Sequence, residues 1–175
     1  MDFYEVIRTR RSVRSFSDRS VPDDVLGRVL DAARIAPSGS NRQPTRLIVV
    51  KDPAARAALV PLCEGQEFVA EAPVVIVACG RNIHYNRGGY MGDMAMLVDV
   101  SIALDHLILA ARSEGLGTCW IGSFDNARLK SHLGIPRDFE VVALTPLGYP
   151  KGMPFHETED RLPLDQVACE ERWRF

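Results

Sequence analysis

Apolar residues recur at helical spacing in several stretches of the chain. Val25, Leu26, Val29, Leu30 and Ala33, for example, form the stripe of an amphipathic helix. Polar caps, early prolines and terminal glycines mark the predicted ends. Three of the predicted helices cover residues 2–9, Asp52 to about Cys63, and Met94–Arg112. Another starts at Ser20–Asp24, with Ser20 as the polar cap, and stops at 37–39. A short helix is capped by Asp125 and ended by Gly134.

Runs of β-branched and other apolar residues predict four strands. The run 73–79 ends at Gly80 and has the composition of a strand that is buried on both faces. The other predicted strands are 47–50, 118–121 and 139–147. This mixed order of helices and strands predicts an α+β domain with three layers, although the pattern does not reveal the strand order. A polar loop at 81–92 and a non-periodic tail after 150 complete the chain.

The longest predicted helix, Met94–Arg112, is apolar around most of its circumference. Such a helix needs cover on several sides, from the sheet and, as one option, from a second subunit. Asp99, Asp105 and His106 interrupt the apolar stretch, so we do not expect it to span a membrane.

Composition narrows the class of protein. The chain has 175 residues, of which 46% are hydrophobic and 25% are charged, so we expect a single domain over 1–175. The net charge of −2 argues against a nucleic-acid binder that relies on bulk positive charge. The N-terminal segment has no apolar run of signal-peptide length, and the four cysteines form no C-x-x-C pair. We therefore expect a reduced, cytoplasmic protein without a metal site.

The first candidate site is the segment Arg10–Arg14, with the sequence Arg-Arg-Ser-Val-Arg, at a helix-to-loop junction. Guanidinium groups make charge-assisted, bidentate hydrogen bonds to phosphate oxygens, so this segment suits a phosphate monoester. A solvated basic turn is the plainer interpretation of the spacing, and a basic arm for nucleic acid is another.

Two further segments carry groups that suit a ligand. In the loop 37–44, two prolines bracket hydroxyl and carboxamide side chains, which match a ring edge of alternating carbonyl and N–H groups. In the segment 115–124, glycines on both sides of a predicted strand let a ligand approach the backbone closely. An ordinary polar loop and a buried strand with tight turns are the alternatives.

Other chemistries find little support in the sequence. Cys119 lies in an apolar strand without a histidine close by, so a nucleophilic thiol is not expected. The four histidines lack metal-ligand spacing, and no Ser-His-Asp signature is present. The chain also lacks the G-x-G-x-x-G fingerprint for a permanently bound nicotinamide cofactor.

Taken together, these segments resemble the FMN-dependent nitroreductase family, in its compact single-domain branch. The matching pieces are residues 10–16, 36–44, 115–122, 147–150 and 161–165. The resemblance implies a three-layer fold in which helices pack on a mixed, mainly antiparallel sheet. It also implies a homodimer that buries the long central helix and binds FMN at the interface, with both chains contacting each FMN.

The resemblance also implies roles for individual residues. Arg10 and Ser12 should hold the phosphate and ribityl end of FMN, with Arg11 beside them and Arg161 completing the site. Arg14 should face the pyrimidine edge of the flavin and stabilise negative charge on the reduced ring. The other cofactor-binding residues that the resemblance implies are Pro37, Ser38, Ser40, Asn41 and Gln43, from the other subunit's loop or along the ring edge, and Trp120, Ile121, Gly122 and Ser123.

The activity implied by the resemblance is two-electron reduction of nitroaromatic or quinone-like small molecules by NAD(P)H. The order would be ping-pong: NAD(P)H reduces the flavin and leaves, and the acceptor then occupies the same pocket. No residue is assigned as a catalytic acid, because the flavin supplies the reactive chemistry. We expect Tyr85 and Tyr90, in the loop 81–92, to shape substrate choice. Dehalogenation, flavin fragmentation, reduction of activated alkenes and a non-catalytic flavin-binding module are the alternatives.

Overall fold

The structure, a computed structural model, describes residues 1–81, 90–158 and 160–173. Its α-helices are α1 (Phe3–Thr9), α2 (Asp23–Arg34), α3 (Pro53–Leu59), α4 (Phe68–Glu71), α5 (Tyr90–Ser113) and α6 (Asn126–Leu133). Its β-strands are β1 (Thr45–Val50), β2 (Val74–Arg81), β3 (Gly117–Thr118) and β4 (Phe139–Gly148). Short 3₁₀ helices occupy Gly39–Asn41, Val60–Cys63 and Leu164–Gln166.

The four strands form one antiparallel sheet in the order β1-β2-β4-β3. Strand β3 is short and pairs Gly117 with Gly148. One parallel bridge, between Ser12 and Thr118, continues the sheet beyond β3. The arginine-rich segment after α1 therefore lies along one edge of the sheet.

Helices cover both faces of the sheet. On one face, α2 and α5 pack with Ile76 and Leu147 in one apolar cluster. On the other face, α3, α4 and α6 pack with Val75 and Val77 in a second cluster. Strand β2 is buried along its length except at Arg81, which confirms the predicted strand with two buried faces. The predicted α+β fold with three layers is confirmed.

Capping interactions explain several helix ends. Asp52 and Asp125 accept backbone N–H groups three residues later and so cap α3 and α6. Gly134 ends α6 at a φ of 66°, which glycine adopts without a steric penalty. The prediction that Ser20 caps α2 is wrong, because Pro22 is the N-cap residue and no side chain caps this helix. Two aspartates in the first turn complement the helix dipole instead.

Several elements differ from the sequence-based expectation. Helix α3 ends at Leu59 and gives way to a 3₁₀ helix, because Pro61 has no N–H and its ring clashes with the preceding turn. Strand β3 ends at Thr118 rather than Ile121, since the next N–H, that of Cys119, donates to a threonine side chain instead of a neighbouring strand. The four-residue helix α4 is not predicted by the sequence pattern.

Helix α5 begins at Tyr90 rather than at Met94. The segment Met94–Ser113 is long and apolar enough to cross a membrane, which corrects the argument that its charged residues exclude this. Half of that segment is buried inside the chain, and the core helix of a soluble protein passes the same test, so its hydropathy is weak evidence for a membrane location. Leu97 and Val98 on its outer side are exposed.

The chain after β4 has little regular structure and leaves large apolar side chains exposed. These residues are Met153, Leu162, Leu164, Val167 and Trp173. A single domain over 1–175 stays a prediction.

Candidate functional site

The arginine-rich segment leaves α1 and runs along the edge of the sheet. The Val13 N–H donates to the Thr118 carbonyl at 2.8 Å, and the Ser17 N–H donates to the Tyr149 carbonyl at 2.8 Å. Val13 and Phe16 are only 3% and 1% exposed. Two buried apolar side chains thus anchor the segment and hold the polar residues between them in place.

Arg10, Ser12 and Arg14 lie close to Cys119. Burial is the largest influence on the Cys119 thiol and raises its pKa. The charges of Arg14 and Arg10 and a hydrogen bond with Ser12 act in the opposite direction. Because the net pKa is raised, the thiol is neutral at pH 7, which fits the expectation that Cys119 is not a nucleophile. Among the described residues, neither arginine forms an ion pair, so both charges are available to an anion.

Arg11 lies in a different environment, along a cavity of about 370 Å³. Its Nη1 donates to the carbonyl oxygens of Arg8, at 3.1 Å, and Arg10, at 2.7 Å. Its Nε and Nη2 are buried and have no hydrogen-bond partner in the part of the chain that the structure describes. Buried donors without acceptors are unfavourable, so this position suits a ligand that brings acceptor oxygens.

Arg161, in the tail, and Arg8, in the last turn of α1, line the same cavity as Arg11. Thr158 adds a hydroxyl and Glu157 a carboxylate. Three guanidinium groups against one carboxylate make this cavity electropositive.

The predicted phosphate site is therefore divided. Arg11 and Arg161 share a cavity, whereas Arg10 and Ser12 do not line it. Sequence reasoning missed Arg8, and the available signal was its spacing of three residues from Arg11 at the end of a helix.

The predicted polar loop borders a second cavity, of about 210 Å³, between α2, β1 and α5. Pro37, Ser38 and Gln43 line this cavity, together with Asp99 of α5. Ser40 and Asn41 lie outside this lining and are exposed.

The third predicted segment combines an exposed aromatic residue with a buried aliphatic one. Trp120 is 42% exposed, whereas Ile121 is 2% exposed. The Ile121 N–H donates to the Leu144 carbonyl at 2.9 Å, and its carbonyl accepts the Leu144 N–H at 3.1 Å. Gly122 and Ser123, which follow Ile121, are also exposed.

The predicted substrate residues fall largely outside the structure. Tyr85 lies outside the described residues, and of Tyr90 only the backbone, at the start of α5, is described. All four cysteines are free, and the described residues contain no cluster of His, Cys, Asp or Glu that could hold a metal ion.

Comparison with known proteins decides the family. The sequence model of the nitroreductase family matches residues 7–66 and 63–149. A protein of Archaeoglobus fulgidus, provisionally named an NADH dehydrogenase/NAD(P)H nitroreductase, is 36% identical over 97% of both chains. The chain belongs to the nitroreductase family. It is an oxidoreductase of that family, as the resemblance implied.

Two other proteins resemble this nitroreductase-family chain at lower identity. Human iodotyrosine deiodinase 1 is 28% identical over 95% of this chain and 67% of that protein. The NADPH:FMN oxidoreductase of Vibrio harveyi, solved in complex with NAD⁺, is 27% identical and has a TM-score of 0.88, over 99% of this chain and 78% of that one.

The predicted cofactor residues of this nitroreductase-family chain form two groups at opposite edges of the sheet. The loop 37–43 precedes Thr45 on edge strand β1, whereas the segments 10–14 and 120–123 lie beside Thr118 on edge strand β3. Register also places the loop 37–43 and the segment 10–14 at opposite ends, because Thr45 pairs with Gly80, whereas Thr118, which bridges to Ser12, pairs with Leu147. The segment 120–123 lies between these two ends, since Ile121 bridges to Leu144, the partner of Val77. Three strand spacings and about six residues of strand rise separate Thr45 from Thr118 by roughly 25 Å.

Proposed function

We propose that the chain is an FMN-dependent oxidoreductase that transfers two electrons from NAD(P)H to nitroaromatic or quinone-like small molecules in a ping-pong reaction. The observation that carries this proposal is the electropositive cavity that Arg8, Arg11 and Arg161 line together, in which Arg11 also has two buried nitrogens without acceptors among the described residues.

The residues around this cavity fit FMN. A phosphate monoester brings the acceptor oxygens that Arg11 lacks, and Arg161 and Arg8 add charge from the tail and from α1. Arg10 and Ser12 lie outside this cavity, beside Cys119, and are the proposed contacts of the ribityl and phosphate end on that side of the segment. When bound, FMN supplies the two-electron chemistry.

Arg14 has a separate role in this proposal. It lies near Cys119, on the same side of the segment as Ser12, and forms no ion pair with a described residue. A fixed guanidinium there would stabilise the negative charge that reduction places on the pyrimidine edge of the ring. The backbone of Gly122 and Ser123, next to exposed Trp120, would border the ring.

We further propose a homodimer in which the loop 37–43 of one chain meets the segments 10–14 and 120–123 of the other. The separation of roughly 25 Å between Thr45, after the loop 37–43, and Thr118, beside the segment 10–14, exceeds what one flavin ring can bridge within one chain. Exposed apolar side chains supply a surface for this association. They are Phe3, Tyr4 and Ile7 of α1, Met94, Leu97 and Val98 of α5, and the apolar tail residues.

The absorbance spectrum of the purified protein tests the cofactor. Bands of bound flavin that bleach on anaerobic addition of NAD(P)H would support the proposal. Flavin bands that do not bleach would contradict NAD(P)H as the electron donor. A colourless protein that stays colourless with added FMN would refute the whole proposal.

Arg11→Met should raise the Kd for FMN by about ten- to a hundredfold, as expected for lost hydrogen bonds to a charged group. Arg137→Met, at an exposed arginine before β4, is the matched control and should leave the Kd unchanged.

The substrate pocket and the cellular location are also proposals. We propose that Tyr85 and Tyr90 shape substrate choice, and unchanged kinetic constants after Tyr→Ala at both positions would contradict this. A cytoplasmic location stays a prediction.

Reductive dehalogenation is the second candidate, because human iodotyrosine deiodinase 1 resembles 95% of this chain. A panel of nitroaromatics, quinones and iodinated phenols, each added to the reduced protein without oxygen, separates the two activities. Iodide release faster than nitro or quinone reduction would favour dehalogenation.

A further inference from the structure

The loop between α2 and β1 has an unusual backbone. Ser40, Asn41 and Gln43 have φ values of 50°, 52° and 50°. This left-handed region is crowded for any residue with a Cβ, and asparagine tolerates it better than serine or glutamine. Strained conformations persist where the surrounding structure enforces them, and they concentrate at ligand-binding sites. An exposed loop with three such residues therefore needs a structural element that holds it.

Hydrogen bonds within the loop set its internal shape. The Asn41 N–H donates to the Ser38 carbonyl at 2.9 Å, and the Arg42 N–H donates to the Gly39 carbonyl at 3.1 Å. The Gln43 N–H donates to the Ser38 hydroxyl at 2.9 Å. These bonds close the turn, but they do not position it relative to the core.

Asp99 of α5 makes that connection. Its Oδ1 accepts the Gly39 N–H at 2.9 Å, and its side chain is 5% exposed. A hydrogen bond to a carboxylate is stronger than one between neutral groups, and a buried carboxylate is retained only where such bonds compensate for the lost water. Its neighbours Val100 and Ala103 are 0% and 3% exposed, so α5 is firmly packed at this point.

We propose that Asp99 is a positioning residue that holds the loop 38–43 in the shape in which its polar side chains meet the flavin. This inference rests on the proposed function, in which that loop contacts FMN. Asp99 acts through Gly39. Without the Asp99 carboxylate, the loop 38–43 would also populate conformations without the strained φ values. Only the fraction of molecules with the loop in its original shape would then bind FMN.

The test is the Kd for FMN of the full-length protein, measured by quenching of flavin fluorescence. Asp99→Ala should raise the Kd by about tenfold or more, because it removes the hydrogen bond between the carboxylate and the Gly39 N–H. Asp99→Asn keeps an oxygen for the Gly39 N–H and should stay within about threefold of wild type. Asp52→Ala is the matched control: it removes the same kind of bond, to the Ala55 N–H at 2.8 Å, from the start of α3 and should not change the Kd.

Two further measurements separate positioning from a general loss of structure. Amide exchange should accelerate in residues 38–43 of Asp99→Ala while β2 keeps its protection, and the absorbance spectrum of the bound flavin should shift. A wild-type Kd for Asp99→Ala, or an Asp99→Asn Kd as weak as that of Asp99→Ala, would overturn the role of Asp99. Wild-type protein that binds no FMN would instead refute the proposed function.

Discussion

Replacing Gly117 by alanine perturbs the contact that holds the arginine-rich segment against the sheet. Gly117 is the first residue of β3, directly before the Thr118 that accepts the Val13 N–H. A Cβ at position 117 would lie 2.7, 2.8 and 2.9 Å from Cγ2, Cβ and Cγ1 of Val13. All three distances are shorter than real Cβ contacts, and Val13 is 3% exposed. The valine therefore has to move, and the residues on either side of it move too.

Overpacking of a buried position costs about 1–3 kcal/mol of unfolding free energy. For a chain of this length, each kcal/mol lowers the melting temperature by about 2–4 °C, so Gly117→Ala should melt about 2–12 °C below wild type. Val13→Ala removes two of the three close contacts. In that background, Gly117→Ala should be less destabilising, with a coupling free energy of about 1 kcal/mol or more. The variant should also bind FMN more weakly, because displacement of Val13 carries Ser12 and Arg14 with it.

Urea unfolding measures these free energies, at one protein concentration because the proposed dimer would make stability depend on concentration. Gly27→Ala is the matched control. Gly27 lies inside α2, where an added Cβ meets nothing within 4 Å. This substitution should stabilise the protein by about 0.5–1 kcal/mol. A Gly117→Ala protein as stable as wild type, or one destabilised equally in the Val13→Ala background, would refute the steric argument.

Three further perturbations follow from other contacts. Arg112 is 7% exposed, and its Cζ lies 4.0 Å from the centroid of the Phe155 ring. Arg112→Met should therefore release the tail and speed its cleavage by protease. Equal cleavage rates for the variant and wild type would contradict this. Only the Cys169 thiol should react rapidly with a thiol reagent at pH 8, because the other three thiols are buried. Burial also raises the pKa of Cys63 and Cys79 to about 11. All four thiols should react after denaturation. A second fast thiol would contradict it. Lys130 holds the pKa of Glu140 below its ordinary value, so the pair stabilises the protein above about pH 4.5 and this stabilisation is lost as pH falls through the lowered pKa. Lys130→Met should lose up to about 1 kcal/mol at pH 7 and less than that at pH 3, as urea unfolding at both pH values can show.

Most helices and strands could be predicted from the sequence, because each of them depends on patterns of residues that are close together in the chain. The caps Asp52 and Asp125 and the burial of β2 needed only short patterns. The strand order could not be predicted, because it depends on packing between segments far apart in the chain. Pro61 did carry a readable signal for the end of α3, since proline interrupts a helix in any context.

The candidate site was only partly predictable for a related reason. The resemblance drew attention to the loop 37–43, but nothing in the identities of Ser40 and Gln43 indicates a positive φ. That conformation depends on the tertiary contact of Gly39 with Asp99, sixty residues further along the chain. Asp99 stood out in the sequence only as an interruption of an apolar helix.

The arginine-rich segment shows why a motif is easier to predict than its geometry. Neighbouring side chains of an extended chain point to opposite sides. Arg11 therefore shares a cavity with Arg161, while Ser12 lies beside Cys119. The rotation of the segment is set by Val13, which is buried against the sheet. A compact anion such as inorganic phosphate would contact only one of these sides. An elongated ligand, with a phosphate at one end and a ring at the other, can use the charges on both, and this is the property of the segment that favours FMN over a simple anion.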